Sequence, residues 1–212
     1  MDGPGTVRAV DGAHYFSPDP SAPENRRRRT VTLRGVDRDV VTAGSVFSAG
    51  GLDKATAILL DEVPDPPPNG TLVDLGCGWG PIALALAHAS PGADVLAVDV
   101  NPRALELTTE NAASAGLAVS ALTPDDTLAR LGPDGRVDAI WSNPPVRVGK
   151  QALHDLLDLW LPRLAPGALA HLVVGKNLGA DSLHRWLAED RGWAVDRIAS
   201  AKGFRVLAVT GV

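Results

Sequence analysis

Cysteine occurs once in the 212 residues, at Cys77, so no disulfide framework can form within the chain and no zinc site can be built on cysteines. A lone thiol fits a reducing compartment. No apolar run approaches the roughly 18 residues of a membrane span, and the opening segment MDGPGTVRAVDGAHYF carries no apolar core of a secretory signal; a cytoplasmic location is expected. Excess positive charge is missing too: the formal net charge is −5 with a pI near 5.5, which excludes a protein that holds nucleic acid by bulk charge. Lysine numbers four against sixteen arginines, a skew that reads as base composition. His154, His171 and His184 lack metal-site spacing, so no metal is expected. There is no internal repeat and no low-complexity tract.

What is present suits one α/β domain. Hydrophobic types make up 45% of the chain, enough for a substantial core. Residues 1–69 read as an N-terminal extension, a hairpin and a lid helix packed on the same domain. The hairpin strands lie around Thr30–Leu33 and Asp39–Thr42 with a turn at Arg34-Gly35, and Asp53 is a helix N-cap. A proline run at 64–68 connects them to residues 70–212. There strand-like runs (TLVDLG, ADVLAVD, LAVSAL, RVDAIWS, GALAHLVV, WAVDRIA) alternate with helical stretches, the signature of a doubly wound, mainly parallel sheet. Asn101-Pro102 starts a helix, Gly116 ends it, and Pro166-Gly167 is expected to turn a helix into a strand. Two last strands joined at Lys202-Gly203 leave no room for a helix and predict a C-terminal antiparallel hairpin.

The strongest motif is Asp74-Leu75-Gly76-Cys77-Gly78-Trp79-Gly80, between a strand and a helix. Glycines there let the chain turn sharply and let a ligand lie on bare backbone beside helix N-terminal amides. Pro81 stands where a dinucleotide loop has its last glycine, so the loop suits a ligand with an ammonium and carboxylate tail and no phosphates. Asp99, 23 residues after Gly76 and followed by Val100, sits where an acid takes both ribose hydroxyls. Together these point to S-adenosyl-L-methionine; the plainer reading is a tight βα turn and a helix cap. Asp125 and Asp126 occupy either the adenine-contact position or a helix cap.

Ser142-Asn143-Pro144-Pro145 ends the fourth core strand, at the sheet edge where open α/β folds bind ligands. A planar exocyclic amine is a poor nucleophile. Acceptors at the Asn143 side chain and the Pro144 carbonyl can take its hydrogens and turn its lone pair toward an electrophilic methyl, by alignment and electrostatics, while the prolines hold the carbonyl in place. Asn143, Pro144 and Pro145 are therefore the candidate catalytic residues.

These motifs, with Phe47-Ser48-Ala49-Gly50-Gly51-Leu52-Asp53, resemble the small-domain class I S-adenosylmethionine-dependent methyltransferases. The chain is similar to RsmC-type ribosomal RNA guanine-N2 methyltransferases, and more so to a single-domain bacterial branch that shares His14-Tyr15-Phe16 and the basic stretch Val146 to Lys150. The resemblance implies a Rossmann-like seven-stranded sheet, a cofactor site at Asp74, Gly76, Cys77, Gly78, Gly80, Asp99 and Val100, and guanine in ribosomal RNA or a ribosomal subunit as acceptor. Substrate contacts would fall to Phe47, Val146, Arg147 and Lys150. Val146 stands where many amine methyltransferases carry a base-stacking aromatic, which leaves Phe47 or Phe16 for that role. Other acceptors stay open, a protein glutamine or a small-molecule amine, as does a ribosome-associated module with little catalysis. Residues 24–38 set six arginines against Glu24 and Asp37, a segment of net charge +4 that is either an RNA contact or a solvated edge strand. No membrane partner is expected, and a monomer is favoured.

Overall fold

The computed structural model describes residues 25–44, 46–145 and 149–212. Its order is β1 (Arg27–Leu33), β2 (Val36–Thr42), α1 (Lys54–Glu62), β3 (Asn69–Leu75), α2 (Pro81–Ala89), β4 (Gly92–Val98), α3 (Pro102–Ser114), β5 (Ser120–Leu122), α4 (Pro124–Leu131), β6 (Val137–Ser142), α5 (Lys150–Trp160), β7 (Leu164–Gly175), α6 (Ala180–Arg185), β8 (Ala194–Ala201) and β9 (Phe204–Thr210). Seven strands form one sheet in the order β5-β4-β3-β6-β7-β9-β8, parallel from β5 to β7 and antiparallel at β9 and β8. The order reverses between β3 and β6, and such a switch point opens a crevice at the carboxyl ends of the strands.

Alternation along each strand builds two cores. In β4, Val95 and Ala97 face a layer with α1, α2 and α3, while Leu96 and Val98 face one with α5 and α6. The β1–β2 hairpin is a separate ribbon whose Leu33 and Val40 join the first core, and β2 lies against α3. Buried Asn111 of α3 ties it down. Its Oδ1 accepts from Val41 N at 2.7 Å, and its Nδ2 donates to Val41 O and Trp79 O at 3.0 and 2.9 Å.

Local signals explain the boundaries. Asp53 caps α1 and Asn101 caps α3, with Pro102 at its first turn. Gly116, at φ +64°, closes α3 with Gly116 N to Ala113 O and Leu117 N to Ala112 O, a Schellman pair. Leu117 is spent on that closure, so β5 has only three residues where LAVSAL suggests six. Pro166-Gly167 lies inside β7, not ahead of it. Leu164 already pairs with Val137, a register shift absorbs the dipeptide, and pairing resumes at Leu169 opposite Ala139. The helix expected over DSLHRWLAEDRG is α6 followed by a wider π turn, Trp186–Asp190.

Candidate active site

The loop between β3 and α2 is held from three sides. Gly76 N and Cys77 N donate to Val98 O of the neighbouring strand at 2.8 and 3.0 Å, and Ser142 Oγ donates to Leu75 O at 2.6 Å. Thr108 Oγ1 of α3 donates to Gly78 O at 3.1 Å. Gly80 takes φ +92°, and a Cβ there would stand 2.9 Å from Thr108 Oγ1, so glycine is required twice over. Buried Cys77 packs against Thr108, and burial pushes its thiol pKa well up, away from nucleophilic character.

Asp74 sits beneath this loop, fully buried. Its Oδ2 accepts from Ala83 N at 2.9 Å, in the first turn of α2, and its Oδ1 has no partner among the described residues. Desolvation raises its pKa to about 8, with Asp99 adding to the rise and the Ala83 hydrogen bond opposing it. Asp99 turns back onto the loop: Oδ2 accepts from Gly78 N at 3.0 Å and Oδ1 from Asn101 N at 2.9 Å. Burial raises its pKa, against those hydrogen bonds. Beside it Val100 is exposed on the rim.

A narrow cleft opens on this loop, lined by Gly76, Gly78, Phe47, Asp53, Thr56 and Asn143 among others. Thus Phe47 and Asn143, 96 positions apart, line one cleft with the glycines. Phe47 is 60% exposed, carried on a turn in which Gly51 N bonds Ser48 O at 2.9 Å. Asn143 is fixed by α1. Its Nδ2 donates to Asp53 Oδ2 and to Thr56 Oγ1, each at 3.0 Å. The carboxylate can only accept, so this end of the amide must be the nitrogen. Both amide hydrogens are engaged, and Oδ1 is left as the acceptor. Pro144 is buried and Pro145 half-buried behind it. Neither Asp53 nor Thr56 stood out in sequence as a partner of Asn143; the only local signal was the capping position.

Asp125, Asp126 and Lys150 are not among the residues that line the cleft. Thr123 caps α4, and Asp126 answers it: Thr123 Oγ1 donates to Asp126 Oδ2 at 2.6 Å and Asp126 N to Thr123 Oγ1 at 3.2 Å, while Asp125 is exposed in the same turn. Lys150 is exposed at the first position of α5. Val146 and Arg147 lie outside the described residues, as do His14 to Phe16. The arginines of residues 24–38 do not form one face. Arg34 donates to Leu60 O, Val63 O and Asp65, Arg38 meets His88 Nδ1 at 2.9 Å, Arg26 pairs with Glu110, and Arg29 packs on Gly51. Arg27 and Arg28 remain exposed, and Asp37 and Asp39 share the ribbon's outer face with Thr30 and Thr32. Among the described residues no cluster of metal-binding side chains occurs, and no helix is long and apolar enough to cross a membrane.

The parallel sheet with its antiparallel end, the glycine loop at the switch point and the acid ending β4 define a class I methyltransferase fold, the class that uses S-adenosylmethionine as methyl donor. The methyltransferase small domain model matches residues 37–208, and the chain belongs to that family. It is 31% identical over 176 residues to the uncharacterized protein YbxB of Bacillus subtilis, covering 83% of this chain and 88% of that one. It is 38% identical over 180 residues to ribosomal RNA small subunit methyltransferase C of Pseudomonas syringae pv. syringae, covering 83% of this chain and 52% of the relative. Among solved structures, the T. thermophilus 16S rRNA N2 G1207 methyltransferase (RsmC), in complex with AdoMet and guanosine, superimposes with a TM-score of 0.76 at 26% identity, over 91% of this chain and 52% of that one. The chain therefore spans about half the length of these ribosomal RNA methyltransferases.

Proposed function

We propose that this protein transfers the methyl group of S-adenosylmethionine to an exocyclic amine, guanine N2 of ribosomal RNA. One observation carries the proposal: Asn143 lines the cleft floored by the glycine loop and is tethered through both amide hydrogens, which leaves its Oδ1 unengaged among the described residues. The residues present suit the cofactor. Among the described residues, Asp74 Oδ1, beneath the loop, is a buried acceptor without a donor, and the indole N–H of Trp79, a residue of the cleft wall, is a buried donor without an acceptor. An amino-acid tail brings the complement of both. Asp99 keeps acceptor capacity on each oxygen for ribose hydroxyls.

S-adenosylmethionine supplies a methyl on a sulfonium: the amine lone pair forms the N–C bond, the S–C electron pair stays on sulfur, and the amine proton leaves to solvent. Asn143 Oδ1 and the Pro144 carbonyl hold the amine hydrogens, so that the lone pair faces the methyl before reaction rather than during it. Enzymes that modify a base in structured nucleic acid take it out of its stack; Phe47, at the cleft mouth, gives the extruded base an aromatic face worth roughly 1 to 3 kcal/mol. Arg147 and Lys150, flanking Asn143 in sequence, hold phosphate, residues 1–69 form the N-terminal extension of this one domain, and the protein works in the cytoplasm as a monomer. The ribosomal RNA relatives and the guanosine held by the T. thermophilus enzyme support the acceptor. The test is methyl transfer from tritiated S-adenosylmethionine to RNA and ribosomal subunits from cells lacking the gene, with digestion to nucleosides. N2-methylguanosine is expected; label only in protein would point to an amide acceptor.

A further inference from the structure

The carboxylate of Asp53 has an oxygen to spare. Oδ2 takes three donors: Ala55 N at 2.8 Å, Thr56 N at 3.3 Å and Asn143 Nδ2 at 3.0 Å. Oδ1 takes none among the described residues, and Asp53 lines the same cleft as Asn143 and Phe47. Because Thr56 uses the second amide hydrogen, Asn143 keeps no N–H for a substrate. The pair Asp53–Asn143 therefore presents acceptors and no donor.

An edge made only of acceptors selects a substrate edge made only of donors. Among the amine-bearing bases, adenine and cytosine place a ring lone pair beside the exocyclic amine on the Watson–Crick edge, while guanine places the N1–H there, its N3 lone pair lying on the other side of the amine. A glutamine amide has no such ring N–H. We propose that Asp53 is a specificity-determining residue, whose free carboxylate oxygen accepts the ring N–H adjacent to the target amine and sets a negative charge against any base with a lone pair at that position. This rests on the reading of Asn143 as the residue that holds the amine. The attraction is charge-assisted, and the rejection comes from an unpaired carboxylate facing a lone pair.

2-Aminopurine is the probe, since it keeps the amine at the same ring position and has a lone pair at N1. Oligoribonucleotides copying the methylated site, with guanine or 2-aminopurine at the target, are compared by kcat/KM in the wild type and in Asp53→Asn and Thr56→Val. The wild type should prefer guanine by at least about 10- to 150-fold, the span of one hydrogen bond to a charged group. Asp53→Asn keeps an oxygen for the α1 cap but turns an N–H toward the base, and should shrink that preference at least tenfold. Thr56→Val loosens Asn143 and frees one of its amide hydrogens without touching the Asp53 oxygen, so kcat should fall on both substrates and the preference should shrink less than in Asp53→Asn. A wild-type preference under threefold overturns the assignment with no variant needed, as does an unchanged preference in folded Asp53→Asn. Absence of methyl from guanine RNA with the wild type removes the amine-methylation reading itself, a distinct result.

Discussion

Replacing Asp74 by asparagine tests the electrostatics beneath the glycine loop. In the folded chain its pKa stands near 8, against 3.8 for the ordinary side chain, because burial costs the charged form more than one hydrogen bond from Ala83 returns. Between those values the folded state binds a proton that the unfolded state has released, so stability falls as pH rises and levels off above about 8. From pH 5 to pH 8 this one group removes up to about 4 kcal/mol, at 1.36 kcal/mol per unit. Asp74→Asn is neutral at every pH and still offers Ala83 N an oxygen. Urea unfolding of both proteins from pH 5 to 9 should show the wild type losing stability relative to the variant, with the difference flat above pH 8. The same reasoning gives a binding signature: an ammonium brought to Asp74 at pH 7 should expel up to one proton, seen as a dependence of the enthalpy of S-adenosylhomocysteine binding on buffer ionisation. Parallel stability profiles for the two proteins would refute a buried, proton-bound Asp74.

Asp99→Ala should weaken S-adenosylhomocysteine binding by about 1 to 3 kcal/mol, measured by calorimetry, through loss of charge-assisted bonds and of the Gly78 and Asn101 contacts. Asn111→Leu leaves three backbone groups of Val41 and Trp79 without partners and should cost about 2 to 4 kcal/mol in denaturant unfolding. Arg27→Gln with Arg28→Gln should lower the log–log salt slope of RNA binding by about 1.4, at roughly 0.7 per phosphate contact. Arg34→Gln should instead lower Tm, since that side chain braces the end of α1 through Leu60 and Val63.

The frame of the site is written locally, which is why it can be read from sequence. A glycine loop must follow a strand and precede a helix to work, and Asp99 falls where the next strand ends; both facts are fixed by spacing within one βαβ unit. Caps at Asp53 and Asn101 are equally local. The contacts that shape the chemistry are not. Asp53 reaches Asn143 across 90 positions and Asn111 reaches Val41 across 70, and no periodicity encodes such pairs. Charge misleads for a related reason: summing arginines over residues 24–38 ignores strand alternation and helix ends, which turn Arg34, Arg38 and Arg26 toward Asp65, His88 and Glu110. Asp126 shows two local signals in competition, since a Thr-Pro-Asp-Asp sequence caps its own helix whatever else its carboxylates contact.

Methyl transfer at Asn143 is tested most directly by a single-turnover measurement with saturating S-adenosylmethionine and RNA lacking the modification, comparing the wild type with Asn143→Ala. Removing the amide removes the one acceptor held ready by Asp53 and Thr56 and leaves the glycine loop intact. The rate of methyl appearance on guanine N2 should fall about 100-fold or more, with S-adenosylhomocysteine affinity within a few-fold of the wild type. An equal rate in the two proteins would contradict the assignment of Asn143 as the residue that aligns the amine.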